Sequence, residues 1–327
     1  MPILQVSLLV ILCLSLIYST SLIVSSLKTI AIRYHLSSYG LTAFILAIST
    51  SLPELMVGIV ASIEGNATLV LGNVIGSNIA DLSLVIGGAA IIGGALRVDG
   101  SILNRDLYLT GGASILPIFL ILDHTLSRSD GLVLLVIYII FVTTVLRPHH
   151  THLARNALST SHIKRLFLLV THAKSQKSII KFILGVIILL ISSHFIVQLA
   201  NLLASNSGLS PLFIGLFLVS VGTSLPELAF EWRAVSTGHT NMAMGDLLGS
   251  IVANSTLILG LAAVIRPLTL TNKGLIPYSL AIIVFVVMYI AFTIFVKSKR
   301  RLDWWEGLIL ILMFFIFLFF ENNNILF

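Results

Sequence analysis

Apolar residues in this chain run in blocks of about twenty, parted by short stretches where charged residues, Gly or Asn gather; such blocks predict helices long enough to cross a bilayer. Cut at those breaks, the chain reads as about ten spans, near 4–27, 37–62, 67–95, 107–122, 131–146, 179–204, 210–236, 241–265, 275–296 and 303–320. The fourth and fifth sit at the short end of what a crossing needs, although Arg147 can snorkel and lengthen the fifth. The first run, Leu4 to Leu27, lacks the basic start and small-residue cleavage site of a signal peptide and is too long for a signal's apolar core, so it reads as a retained span. Composition agrees: 57% of the 327 residues are hydrophobic and 10% are charged, which defines an all-α polytopic membrane protein. Cys13 is the one cysteine, so a single chain builds neither a disulfide framework nor a thiolate metal site.

Basic residues orient the spans, because Lys and Arg gather on cytoplasmic loops. All but three of the 19 fall to one face; the other face keeps Arg128, Arg266 and Lys273. The expected arrangement is a multi-pass cell-membrane protein with both termini extracellular and a central cytoplasmic loop. The net charge of +6 then follows from topology and a lipid-facing basic rim, and implies no nucleic-acid partner.

A five-residue phrase, Thr-Ser-Leu-Pro-Glu, occurs at Thr50 to Glu54 and again at Thr223 to Glu227. Shifting the chain by 173 residues superposes a block of about fifty, near 40–92 on 213–265, including Gly65, Gly72, Gly76 and Ser77 on Gly238, Gly245, Gly249 and Ser250. Five spans precede the sixth, so the second copy enters the membrane from the opposite side. The expected organisation is a first five-helix repeat over 1–146, a cytoplasmic linker over 147–178 and an inverted five-helix repeat over 179–327. Transporters with alternating access are commonly built this way, with the site at the repeat interface.

An acidic side chain at mid-membrane costs roughly 2.5 to 3.5 kcal/mol, so two at matched positions point to a bound cation. Thr50 with Glu54, and Thr223 with Glu227, are four residues apart and share one helix face. Pro53 and Pro226 each remove an amide donor and push Leu52 and Leu225 out of helical geometry, so a break is expected there. It frees carbonyls near Ala47 to Ser49 and Ser220 to Gly222 as oxygen ligands. The next span of each copy adds Ser77 with Asp81 and Ser250 with Asn254, and its Gly-x-x-x-Gly steps permit close helix approach. Glu54, Glu227 and Asp81, joined by the oxygens of Thr50, Ser51, Ser77, Thr223, Ser224, Ser250 and Asn254, make an all-oxygen set suited to hard cations such as Ca²⁺ and Na⁺ and unlike zinc or copper sites. Empty, such a site carries up to three charges into an occluded state; loaded, it does not, so obligatory exchange is expected in place of leak.

The two blocks, Ser-Thr-Ser-Leu-Pro-Glu with Gly-Asn-Val-Ile-Gly-Ser-Asn at 49–54 and 72–78, and Gly-Thr-Ser-Leu-Pro-Glu with Gly-Asp-Leu-Leu-Gly-Ser at 222–227 and 245–250, resemble the paired alpha-repeats of the Ca²⁺/cation antiporter superfamily, its prokaryotic-type sodium/calcium exchanger branch above all. They cover about a third of the chain. The resemblance implies exchange of several Na⁺ for one Ca²⁺, without cofactor or obligatory protein partner. Its ligands would be the ten side chains named above and the carbonyls of Ala47 and Ser220. Three departures stand out. Many relatives carry the acid at the position of Asn254 and the amide at that of Asp81; here the two are exchanged, which argues against K⁺ co-transport. Asp246 stands where Asn73 predicts asparagine, with a helix-start or hydrogen-bonding role expected and a gate or proton site as the alternative. Ile251 stands where Asn78 predicts an amide.

A Ca²⁺/H⁺ antiporter is the nearest rival, although proton-coupled relatives often carry Gly-Asn-Ala-x-Glu in place of Thr-Ser-Leu-Pro-Glu. A channel needs no occluding acids on broken helices. No His-Glu-x-x-His or Gly-x-Ser-x-Gly motif supports an intramembrane hydrolase, so no enzyme is expected. Glu231 and Arg233 are expected to pair or reach the interface, with cytoplasmic gating the alternative. His149, His150, His152, His162 and His172 read as a solvated loop. Trp304 and Trp305 read as interfacial anchors, and Phe314 to Phe320 as lipid-facing or packing surface.

Overall fold

A chain this apolar has to satisfy its amides within each segment, and helices do so without leaving a sheet edge in lipid. The computed structural model describes residues 2–33, 50–98, 100, 105–145, 173–207, 209–270 and 275–324. Ala47, the carbonyls before Thr50 and the five linker histidines lie outside them. The first half holds α1 (Pro2–Arg33), α2 (Leu52–Ile63), α3 (Ala67–Ala80), α4 (Ile86–Gly93), α5 (Leu107–Leu120) and α6 (Arg128–Val145). The second holds α7 (Ala173–Ser207), α8 (Pro211–Phe213), α9 (Ser220–Thr223), α10 (Leu225–Ser236), α11 (Thr240–Val252), α12 (Leu259–Ile265), α13 (Ser279–Lys299) and α14 (Trp304–Asn324). Helix α7 begins inside the stretch expected to be linker.

Among the described residues six helical stretches are long and apolar enough to cross a membrane, or seven if the bent pair Pro211–Thr223 and Leu225–Ser236 is one span. Helices α5 and α6, in the two spans expected to be short, are not among the six. Among the described residues π-helical segments interrupt the spans at Asp81–Val85 between α3 and α4, at Ile214–Val219 between α8 and α9, and at Ala253–Ile258 between α11 and α12. Such interruptions cluster at functional sites.

The two repeat-bearing spans form the centre. Ala67–Gly93 and Thr240–Ile265 are 89% and 72% buried over their most apolar windows, against 28% for Ser178–Asn206 and 33% for Gln5–Ile23. Helix α1 lies along α7 on the outside, α4 packs on α14, and α3 crosses to the Ile214–Val219 segment of the other half. Phe314 and Phe317 pack inward while Phe315, Phe319 and Phe320 face out, and Trp304 and Trp305 open α14 as exposed rings.

Among the described residues four short strands, β1 (Ala95–Arg97), β2 (Thr125–Leu126), β3 (Leu268–Thr269) and β4 (Arg301–Asp303), tie loops of the two halves together. Antiparallel pairing joins β1 to β4 and β2 to β3. At the first end the Thr240 hydroxyl also donates to the Arg97 carbonyl (3.0 Å), so the turn between α10 and α11 lies there. At the other end the turn between α2 and α3 sits beside Arg266. The two turns use the same device, a glycine at positive φ: Gly65 at 78° and Gly238 at 79°, which side chains with a Cβ disfavour. Equivalent hairpins at opposite ends are what an inverted repeat requires. Lys299 (3.0 Å) and Arg301 (2.8 Å) both pair with Asp303, and the hydrogen bond from Lys299 leads in holding that carboxyl below the ordinary carboxylate range.

Gly76 marks a close crossing between the halves. A Cβ there would stand 2.6 Å from Ser220 Oγ and 2.7 Å from Leu216 Cα, against backbone that cannot yield. Gly76→Ala is therefore expected to cost about 1 to 3 kcal/mol through overpacking. Thermal unfolding in detergent checks this: the melting temperature should fall for Gly76→Ala and hold for Gly112→Ala, whose added methyl meets no atom within 4 Å.

Candidate ion-binding site

Both copies break in the same way. Ser51 (φ −82°, ψ 10°) and Ser224 (φ −81°, ψ 5°) leave helical geometry, and the two parts of the second break meet at 43°. The break falls one residue earlier than expected: Leu52 and Leu225 open the following helices, with Pro53 and Pro226 in their first turns. Proline is tolerated there because the first amides of a helix have no intrahelical acceptor to lose. The Ser51 and Ser224 carbonyls then accept from Leu55 (3.0 Å) and Leu228 (3.1 Å). Glu54 and Glu227 consequently occupy the first turns of α2 and α10, where free amides and the helix dipole favour negative charge.

Every described member of the expected set is buried, and hydrogen bonds stitch the set across the two halves. Ser224 Oγ donates to Glu54 Oε1 (3.3 Å), and Ser51 Oγ donates to Ser250 Oγ (3.2 Å). Thr50 Oγ1 donates to Asp246 Oδ1 (3.1 Å), while its counterpart Thr223 donates to Asn73 Oδ1 (3.4 Å). Asn254 Nδ2 donates to Asp81 Oδ2 (3.4 Å), so the exchanged acid and amide face each other across the pseudo-two-fold. The Ser220 carbonyl accepts from Ser224 N (2.9 Å) and Thr223 Oγ1 (3.1 Å).

What remains is a concentration of buried oxygens without hydrogen-bond partners: Glu54 Oε2, Ser77 Oγ, Asp81 Oδ1, Glu227 Oε2 and Asn254 Oδ1. Leaving a buried polar group unpaired costs about 1 to 3 kcal/mol, and more when it is charged, so several within a set stitched across the two halves call for a shared partner. Oxygens of this kind fit a hard cation. Among the described residues no three Asp, Glu, His or Cys side chains form a group able to hold one metal ion. The donors on offer are therefore carboxylates supplemented by hydroxyl and amide oxygens.

Two further acids lie buried outside the expected set. Asp246 lies within α11, away from its start, and accepts from Thr50, so of the two roles expected for it, helix start or hydrogen bonding, it takes the second. Glu231 is buried while Arg233 is exposed, and no ion pair joins them among the described residues. Side chains two apart point to nearly opposite helix faces. The useful spacing was the fourth residue: Glu231 follows Glu227 by four, and Asp246 precedes Ser250 by four. Asn73, missing from the expected set, stands four before Ser77.

Broken membrane helices whose buried acids meet a hydroxyl and an amide from the opposite, inverted half fit an ion-transporting membrane protein. A sequence model of the sodium/calcium exchanger protein family matches residues 4–147 and 177–321, and the chain belongs to that family. It is 26% identical over 325 residues to the sodium/calcium exchanger MaX1 of Methanosarcina acetivorans, covering 90% of this chain and 92% of that one. A solved structure of the sodium-calcium exchanger NCX_Mj superposes with a TM-score of 0.64 at 26% identity, covering 97% and 98% of the two chains. The H⁺/Ca²⁺ exchanger CAX shares the fold, with a TM-score of 0.74 at 15% identity over 98% of this chain and 87% of that one.

The contact between Asn254 and Asp81 is open to a direct test. Asn254→Asp places like charges at a separation where they repel by on the order of 4 kcal/mol at an effective dielectric of 20. In chelator the variant should melt below the wild type, and Ca²⁺ should raise its melting temperature by more than it raises the wild type's. Equal melting temperatures in chelator would show that the two side chains do not meet.

Proposed function

We propose that this membrane antiporter exchanges Na⁺ for Ca²⁺ by alternating access, with the ions held between the two repeats. The observation that carries the reading is the set of buried, unpartnered oxygens contributed by both halves at the two helix breaks. Glu54, Glu227 and Asp81 are its charged ligands; Thr50, Ser51, Ser77, Thr223, Ser224, Ser250 and Asn254 complete it, with the carbonyls of Ala47 and Ser220.

The mechanism follows from charge. The carboxylates are costly in an occluded, low-dielectric centre when nothing neutralises them, and a bound Ca²⁺ or several Na⁺ removes most of that cost. The loaded protein therefore crosses between inward-open and outward-open states, and the empty one stays. Ca²⁺ and Na⁺ compete for overlapping oxygens, so one is released where the other is taken up. Exchange of more than two Na⁺ per Ca²⁺ moves net charge and responds to voltage. The basic end, with Arg97, Arg233 and Lys297 to Arg301, faces the cytoplasm, and both termini lie outside.

One observation favours proton coupling as the second reading: Asp81, Glu231 and Asp246 add buried carboxylates beyond the two glutamates, and protons could neutralise them in place of Na⁺.

Purified protein in sealed proteoliposomes separates the two. Radiolabelled Ca²⁺ uptake should follow an outward Na⁺ gradient and not an outward proton gradient. Glu54→Gln and Glu227→Gln should each reduce it by more than about tenfold, the equivalent of ~1.4 kcal/mol in ion binding. Uptake driven by protons alone overturns the sodium assignment; full uptake in both variants overturns the site.

A further inference from the structure

Glu231 and Asp246 have no part in the central set, yet both are at least nine-tenths buried and each keeps a carboxylate oxygen, Glu231 Oε2 and Asp246 Oδ2, without a hydrogen-bond partner. They lie on the two arms of one hairpin. Glu231 comes seven residues before Gly238 and Asp246 eight after it, and the helices that carry them, α10 and α11, pack against each other. Antiparallel arms joined by so tight a turn bring residues equidistant from it to one level. Among the described ion pairs neither acid has a basic partner. Thr50, which donates to Asp246 Oδ1, joins this level to the central one.

The first repeat carries no such pair. The positions equivalent to Glu231 and Asp246 are Gly58 and Asn73. Asn73 accepts from Thr223 as Asp246 accepts from Thr50, so the hydrogen-bond frame is retained while the charge is gone. At Gly58 a Cβ would stand 2.7 Å from Ile258 Cγ2, leaving no space for an acid. Among the described residues this pair of acids therefore occurs on one side of the central set only, between that set and the α10–α11 turn.

We propose that Glu231 and Asp246 form an accessory site for a hard divalent cation, one helical turn from the central site and without counterpart at the opposite mouth. Two carboxylates match the charge of such an ion, and the absence of sulfur and imidazole from the pair excludes the softer metals. The site receives Ca²⁺ at one mouth and passes it to Glu227, one turn deeper on the same helix face. The choice of ligand rests on the Ca²⁺-antiporter reading; the existence of the site does not depend on sodium coupling.

Equilibrium binding of radiolabelled Ca²⁺ to the purified, Na⁺-free protein in detergent tests it. The wild type should show two classes of site. Glu231→Gln with Asp246→Asn should lose one class and keep the other, whereas Glu54→Gln with Glu227→Gln should do the reverse. Glu231→Gln alone, an isosteric change, should weaken the accessory class by more than tenfold and serves where the double variant does not fold. In proteoliposomes of fixed orientation the same change should raise the Ca²⁺ KM from the side of the α10–α11 turn and leave it unaltered from the other side. A Glu231→Gln isotherm superimposable on the wild type's, or a KM raised equally from both sides, overturns the accessory site and leaves the antiporter reading standing. No Ca²⁺ binding by the wild type overturns both.

Discussion

A carboxylate withdrawn from water has to be compensated, and that requirement governs the structure around Glu54 and Glu227. In a continuous helix each would project from a wall whose amides are already used. Breaking the helix at Ser51 and Ser224 places both acids in the first turn of a new helix, where amides are free and the dipole has the helpful sign. The proline one residue before each acid makes the break permanent, because it cannot supply the amide that would close the ladder. What the helix ends do not compensate is left to partners from the opposite half and to the transported ions. A site built in this way holds its charge only as part of an assembly, so neither repeat could keep it alone.

The parts of this arrangement legible in the sequence were local ones. The doubled Thr-Ser-Leu-Pro-Glu phrase, the spacing of four from Ser77 to Asp81, and the proline breaks all act within one or two helical turns, and all return in the fold; the single helix face expected for Thr50 with Glu54 and for Thr223 with Glu227 does not, because each break falls between the two members. Tertiary features were not legible. The π-helical segments at Asp81–Val85 and Ala253–Ile258 begin at Asp81 and one residue before Asn254, where the two halves touch, and nothing in the local composition marks them. The strand pairs join segments far apart in the chain and are two or three residues long, too short for any alternating pattern. Glu231 was misread through its near neighbour Arg233, because adjacency along a sequence suggests a pair that helix geometry forbids. Proline misled by one residue at Leu52 for a related reason: it breaks the helix before it but is at ease in the first turn of the next.

Two inverted copies of one unit give a transporter its two end states almost without further design. If the copies were identical, exchanging their conformations would convert the inward-open form into an outward-open form of equal energy. The hydrogen bonds retain much of this symmetry, with Thr50 to Asp246 mirrored by Thr223 to Asn73, and with Asp81 meeting Asn254 across the axis. The charges do not. An acid corresponds to an amide in both relationships, and Glu231 corresponds to a glycine. Hydrogen-bond geometry is thus conserved between the halves while electrostatics is not, so the two end states differ in what they gain from a bound cation. A ligand shifts such an equilibrium only by the difference in its affinity for the two states. Neutral-for-acid exchanges at equivalent positions create that difference without disturbing the packing that allows both states to form.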